Sequence, residues 1–227
     1  MAPLKYLRLQ LFKAFLGPFS RRMRSQRMAM CTRVMGLDRR RRMLDLGGQA
    51  GIWNHVEASQ DITILNLSGV ADSFLKTHHQ VRSVVGDACN VTEFTDGEFE
   101  VLFSNSVIEH VGPESRMEDF AREVKRLGQS YWVQTPSKWF PIEAHCGMPF
   151  WWFYPESLRQ YFLKRWSAKL PIWTEMVEGT RVLTKKQLKR LFPEAQIHTE
   201  RILGIPKSYI AYRMLPATAA EVDDRSE

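Results

Sequence analysis

From position 43 onward, short apolar runs alternate with segments patterned at helical spacing. Met43–Leu46, Ile62–Leu67, Ser83–Val85, Val101–Ser104 and Tyr131–Gln134 have the length and apolar content of buried strands. Between them, residues 51–58, 70–79 and 115–127 predict helices. This alternation predicts an α/β fold: a doubly wound, mostly parallel sheet with right-handed crossovers. Past Pro136 the alternation stops. Residues 136–155 carry Trp139, Phe140, Trp151, Trp152, Phe153 and Tyr154 among prolines, which excludes a regular parallel strand and predicts an aromatic-rich insertion after strand 5, lying over the strand ends. A helix from Pro155 to Trp166, a short helix over Thr184–Phe192 with Thr184 as N-cap, and a terminal strand pair, Ile197–Ile202 with Ser208–Tyr212, complete a seven-stranded sheet.

Ahead of the sheet, Leu4, Leu7, Leu11, Phe12 and Phe15 fall on one side of a helical wheel and predict an amphipathic helix over residues 4–16, broken by Gly17-Pro18. A second helix is predicted from Ser20 to about Met35, closed by Gly36, with Met23, Met30, Cys31 and Val34 facing the core. The organisation expected is therefore a basic N-terminal helical segment over 1–36, one domain over 37–215, and a disordered polar tail over 216–227. Charge follows the same division. Residues 1–42 hold 12 Lys/Arg against the single acid Asp38, while the rest of the chain carries 20 basic against 24 acidic residues. A body that is not basic argues against a nucleic-acid partner. The basic segment fits an anionic membrane surface or an acidic protein, or else a lid helix whose polar face is solvated. No run of 18 uncharged apolar residues is present, and no small-residue cleavage site follows the interrupted apolar run at the start, so a cytoplasmic protein, with membrane association at most peripheral, is expected. Cys31, Cys89 and Cys146 are odd in number and widely spaced, which fits reduced thiols.

The chemistry begins at Met43-Leu44-Asp45-Leu46-Gly47-Gly48-Gln49-Ala50-Gly51, a strand running through a glycine-rich turn into a helix. No Gly-Lys-Ser/Thr follows, which excludes a phosphate loop, and a dinucleotide fingerprint places its third glycine elsewhere. Asn66 ends the next strand, Gly86-Asp87-Ala88 follows the third, and Phe103-Ser104-Asn105-Ser106 ends the fourth. In a doubly wound sheet these strand ends line one crevice. Together they resemble the class I S-adenosylmethionine-dependent methyltransferases, within them the type 11 group, over residues 43–135 and more loosely to 213. The resemblance implies a Rossmann-like domain with S-adenosylmethionine as cofactor. It implies that Asp45, Gly47, Gly48 and Gly51 hold the methionine part, Asn66 with Leu67 the ribose side, and Asp87 with Ala88 the adenine, with Asn105 and Ser106 beside the cofactor. Two positions depart from the family pattern: Gln49 stands where glycine is usual, and Asn66 where an acid is usual.

Methyl transfer needs an in-line nucleophile and a route for its proton. The candidates are Glu109-His110 after the fourth strand and Glu143 with His145 in the insertion, with His145 and His110 as the expected catalytic residues. The stretch Ser106–His110 offers only Glu109 and His110 as local donors, so no metal is expected. The absence of an Asn-Pro-Pro-Tyr-like signature after the fourth strand argues against nucleobase and glutamine N-methylation and favours a small or lipid- or carrier-linked acceptor; the apolar, Trp-rich insertion suggests an aromatic, polyketide-like, sugar-linked or lipid-linked one, with O-methylation expected over N- or C-methylation. The alternative is a non-catalytic module in which the fold survives as a scaffold docking to a membrane or acidic partner.

Overall fold

The computed structural model describes residues 21–68, 77–143 and 145–214. Seven strands, β1 (Arg42–Leu46), β2 (Asp61–Asn66), β3 (Gln80–Val85), β4 (Phe99–Asn105), β5 (Gly128–Pro136), β6 (Gln196–Ile202) and β7 (Ile205–Arg213), form one sheet in the order β3-β2-β1-β4-β5-β7-β6. β1 to β5 are parallel, β7 runs antiparallel to β5, and β6 antiparallel to β7. The near-continuous apolar runs of β1, β2 and β4 follow from burial on both faces, whereas the edge strand β3 is only half-buried. The strand order reverses between β1 and β4, so their C-terminal ends diverge into a crevice.

Each face of the sheet carries its own core. On one, helix α2 (Glu114–Leu127) packs Met117, Phe120, Val124 and Leu127 with Leu188, Leu191 and Phe192 of and beside helix α5 (Lys185–Leu191). On the other, helix α1 (residues 21–35) packs Met28, Cys31 and Met35 with Trp53, Ile62, Ile64, Phe103 and Trp132. Burying each such side chain contributes about 1.5–3 kcal/mol, enough to hold α1 on the sheet. The predicted helix toward the core is thus present. Its inward face centres on Met28 and Met35 as well as Cys31, with Met30 and Val34 at the flanks and Met23 half-buried. Gly36 ends it with φ +61°. The predicted helix over residues 4–16, its break, Ser20 and the tail over 216–227 lie outside the described residues.

Two local expectations change. The segment predicted as a helix over 51–58 is a 3-10 turn, Ala50–His55, because Asp45 draws the Trp53 indole N–H inward at 2.9 Å. Most of the helix predicted over 70–79 lies outside the described residues, and 77–79 is a bend. Beyond β5, the insertion builds a third small core rather than an open aromatic face. Cys146, Met148 and Trp151 pack with Leu163 and Trp166 of α3 (Glu156–Ser167) and Val177 of α4 (Pro171–Gly179), a helix the pattern did not predict. Stacking of Trp151 on Trp166, 5.4 Å between centroids, ties insertion to helix. Among the large aromatics of the described residues only Trp139, Phe150, Phe153 and Tyr161 remain exposed by half or more. The three cysteines are free and buried. Among the described residues, no helix is long and apolar enough to cross a membrane.

Candidate active site

The glycine-rich turn is shaped by Asp45. Its side chain is fully buried at the end of β1; Oδ2 accepts the Trp53 N–H, while Oδ1 has no partner among the described residues. Burial raises its carboxyl to about 7 against the pull of that indole donor. The carboxylate folds beneath the turn so closely that a Cβ on Gly48 would lie 1.8 Å from Oδ2. Gly47 takes φ +72°, and a Cβ there would meet Val107 at 2.6 Å, so the β1 and β4 loops touch through a glycine. Gly51 differs, since nothing lies within 4 Å of where its Cβ would sit and the space beside it is open.

Asn66 ends β2, and its Nδ2 donates to the Gly48 carbonyl at 3.1 Å. A carboxylate has no proton to donate there, which is a physical reason for Asn in a position the family pattern gives to an acid. Its Oδ1 has no hydrogen-bond donor among the described residues. Leu67, next in the chain, is 78% exposed. Beyond β3, Asp87 accepts the Cys89 N–H at 2.9 Å and both a 2.9 and a 2.7 Å bond from Arg116. Burial would raise its carboxyl, but the backbone donor and the guanidinium hold it below the usual carboxylate range. Ala88 packs against the core beside it. At the end of β4, Ser106 has φ +60° and donates through Oγ to Gln134 of β5 at 2.9 Å, while Asn105 Oδ1 accepts from Arg27 at 2.7 Å.

Arg27 was not singled out by sequence reasoning. From α1 it reaches over the strand ends and donates to Asn105, to Gln134 at 3.3 Å, and to both carboxylate oxygens of Glu200 at 2.9 and 2.7 Å. Ser208 donates to the same carboxylate. Arg27 and Glu200 are 9% and 7% exposed, so a buried, multiply bonded ion pair fastens the N-terminal helix to β4, β5 and β6.

A second polar centre lies on the same side of the sheet. The loop after β4 presents Glu109 and His110, and the insertion presents Glu143 and His145. Glu109 is fully buried; Oε2 accepts the hydroxyl of Thr135, at the end of β5, at 3.0 Å, and Oε1 has no partner among the described residues. Burial raises its carboxyl to about 7. Glu143 accepts backbone N–H groups of His145 and Cys146 at 2.6 Å each, and its other oxygen lies 2.7 Å from His145 Nδ1. Burial opposes charge on His145, but Glu143 outweighs it and the imidazole titrates above its ordinary value. The His110 and His145 Nε2 atoms face each other at 3.0 Å. Burial, then the charge of His145, depresses His110 to about 4. Glu109, His110 and His145 each offer a ligand atom within 4.8 Å of the others'. His145, expected as a catalytic residue, thus has Nδ1 on Glu143 and Nε2 facing His110, the second residue expected to be catalytic.

A family model described as a methyltransferase domain matches residues 17–130. Among solved structures, the chain is similar to a possible exported protein from Bordetella parapertussis, with 11% identity over 86% of this chain and 68% of that one and a TM-score of 0.54. It is also similar to a protein described as a methyltransferase from an antibiotic biosynthesis pathway in Anabaena variabilis, at 16% identity, 77% and 64% coverage and TM-score 0.50. Phosphoethanolamine N-methyltransferase 2 of Haemonchus contortus, in complex with S-adenosyl-L-methionine, matches at 17% identity and TM-score 0.49, over 77% of this chain and 38% of that one. At these identities the likeness is one of fold, and the chain spans less than two thirds of the last two proteins. No curated protein matches the chain.

Proposed function

Because the chain belongs to the methyltransferase-domain family and is a class I S-adenosylmethionine-dependent methyltransferase, we propose that it transfers the methyl group to an oxygen of a small or lipid- or carrier-linked acceptor seated against the His110–His145 unit. The residues at the strand ends fit the cofactor. The unpartnered Asp45 Oδ1 is an acceptor for the methionyl ammonium, Asn66 Oδ1 for a ribose hydroxyl, and the open space beside Gly51 admits the chain between them. Asp87 would receive the adenine amine while Arg116 orients its carboxylate, with Leu67 and Ala88 as apolar neighbours and Asn105 and Ser106 lining the opposite side. When bound, S-adenosylmethionine supplies an electrophilic methyl on a sulfonium; the protein's tasks are to align the acceptor and dispose of its proton.

The observation that carries the oxygen reading is the convergence of Glu109, His110, Glu143 and His145 beside the ends of β4 and β5. A hydroxyl must lose a proton, and two imidazoles backed by two carboxylates provide a place for it. Alignment supports the larger share of rate, on the order of 7–11 kcal/mol where geometry is favourable. The exposed Trp139, Phe150 and Phe153 support an acceptor with an apolar part, and exposed Arg21, Arg22, Arg24 and Arg33 of α1 support one presented at an anionic surface.

The test uses cofactor with a carbon-13 methyl group and a panel of phenolic, sugar and lipid-linked acceptors. The expected product shows a methyl ether or ester resonance, and His145→Gln and His110→Gln lower turnover by about 10²–10⁴-fold with cofactor affinity retained. A label found on nitrogen or carbon, or full turnover in both variants, overturns the reading.

A further inference from the structure

The facing imidazoles hold an unresolved demand. Glu143 Oε2 accepts two backbone N–H groups, so this carboxylate is held as an acceptor and the His145 Nδ1 beside Oε1 carries the proton. The Thr180 hydroxyl donates to the Met176 carbonyl at 2.8 Å, so the contact between Thr180 Oγ1 and His110 Nδ1, 3.3 Å, has His110 as donor. Both neutral rings are therefore fixed in the same tautomer, with a bare lone pair on each Nε2. Those lone pairs point at each other across 3.0 Å with the rings at 89°. Two lone pairs at that distance repel unless a cation lies between or beside them. A shared proton would satisfy the nitrogens but not Glu109, whose Oε1 is buried without a donor among the described residues. Protonating Glu109 only turns an orphan acceptor into an orphan donor.

We propose that Glu109, His110 and His145 bind a divalent metal ion of the zinc class. Two imidazoles and a carboxylate are a donor set for a borderline first-row ion, whereas magnesium and calcium prefer oxygen alone. Donors at about 2.0–2.2 Å from one tetrahedral ion are about 3.3 Å apart, near the 3.0 Å between the imidazole nitrogens, and the carboxylate closes by a small inward movement from within 4.8 Å. The outer partners are also those of a metal site. Glu143 on His145 and Thr180 on His110 fix which ring nitrogen faces inward, and Thr135 steadies Glu109. Three protein donors leave a coordination position for a further oxygen, which is the arrangement of catalytic rather than structural sites. The proposal rests on the functional reading only for what that oxygen is, an acceptor hydroxyl whose acidity the ion would raise. With the ion bound, the cluster disposes of the hydroxyl proton by acidifying it, the proton passing to solvent, instead of holding it on an imidazole.

The experiment takes the full chain, stripped with a chelator, and titrates Zn²⁺ in competition with a chromophoric indicator, with Co²⁺ as a spectroscopic probe. One ion per chain is expected, with visible ligand-field absorption for Co²⁺ and affinity lowered by about 10–100-fold in Glu143→Gln and Thr180→Val, which keep all three ligands. His110→Gln with His145→Gln should abolish binding, with circular dichroism checking that the fold persists. A readout needing no variant is protection of His110 and His145 by Zn²⁺ from diethyl pyrocarbonate, followed by mass spectrometry. No stoichiometric ion in the wild type, unchanged affinity in the double variant, or unprotected histidines overturns the site. Full methyl transfer by a chain that binds no ion overturns the proposal and leaves the functional reading standing; ion binding without methyl transfer supports the proposal and overturns that reading.

Discussion

Arg27→Met removes the guanidinium that joins α1 to the strand ends and leaves Glu200 7% exposed with Ser208 as its remaining side-chain donor. Removing one partner of a buried ion pair costs about 3–5 kcal/mol. Proton uptake by Glu200 limits that cost: bringing a carboxyl of ordinary value 4.5 to its neutral form at pH 7 costs about 3.4 kcal/mol. We therefore expect a loss of about 3 kcal/mol at pH 7, roughly 6–12 °C in Tm for a chain of this size. The pH dependence has a definite sign. In the wild type, burial alone would raise Glu200, but the Arg27 hydrogen bonds and charge hold it below 4.5. Its stabilisation is thus present above 4.5 and lost as pH falls through the lower, folded value. In the variant the folded value rises, so the deficit grows with pH above 4.5 and is smaller at pH 5 than at pH 7 by up to about 2.7 kcal/mol. Urea titrations at pH 5 and pH 7 measure both. Adding Glu200→Gln to Arg27→Met should recover much of the stability by removing the unpaired charge. A deficit under about 1 kcal/mol at pH 7, or an equal deficit at both pH values, refutes the reasoning.

Asp45, raised by burial from 3.8 to about 7, binds its proton more tightly when folded, so its contribution to stability is complete below 3.8 and declines as pH rises toward 7, by up to about 4 kcal/mol. Asp45→Asn should flatten that decline in urea titrations between pH 5 and 8; parallel curves for variant and wild type contradict the burial argument. Gly48→Ala and Gly51→Ala separate crowding by the protein from room for the cofactor. The first places a Cβ 1.8 Å from the Asp45 carboxylate and should lower both Tm and cofactor affinity, while the second meets nothing within 4 Å and should lower affinity alone. Equal melting losses in both would contradict this division.

What could be read from the chain depended on how local its cause was. The strands and the Asp45–Gly51 turn were legible because alternation and glycine spacing are set within ten residues, and Thr184 announced α5 as its N-cap, to which the structure adds Gln187 as the other half of a capping box. The 3-10 turn at Ala50–His55 was read as a helix because the pull of Asp45 on Trp53 carries no periodicity. The Trp-rich insertion was read as a cover over the strand ends, but composition does not say which aromatics find partners, and α3 and α4 take up most of them. Glu143 and His145 stood two residues apart in plain view. Their meeting with His110, 35 residues away, depends on how the insertion folds back. Arg27 was hidden among basic residues because its partners lie 78, 107 and 173 positions further on.

The central claim is that the C-terminal ends of β1 to β4 hold S-adenosylmethionine. Calorimetric titration of the cofactor and of S-adenosylhomocysteine into the wild type and Asp87→Ala tests it most directly. The account gives one binding event per chain for each ligand in the wild type, and weakening by roughly 1–3 kcal/mol in the variant, where the adenine amine loses its acceptor. No binding of either ligand by the folded wild type would contradict the claim, and equal affinity in the variant would place the adenine elsewhere.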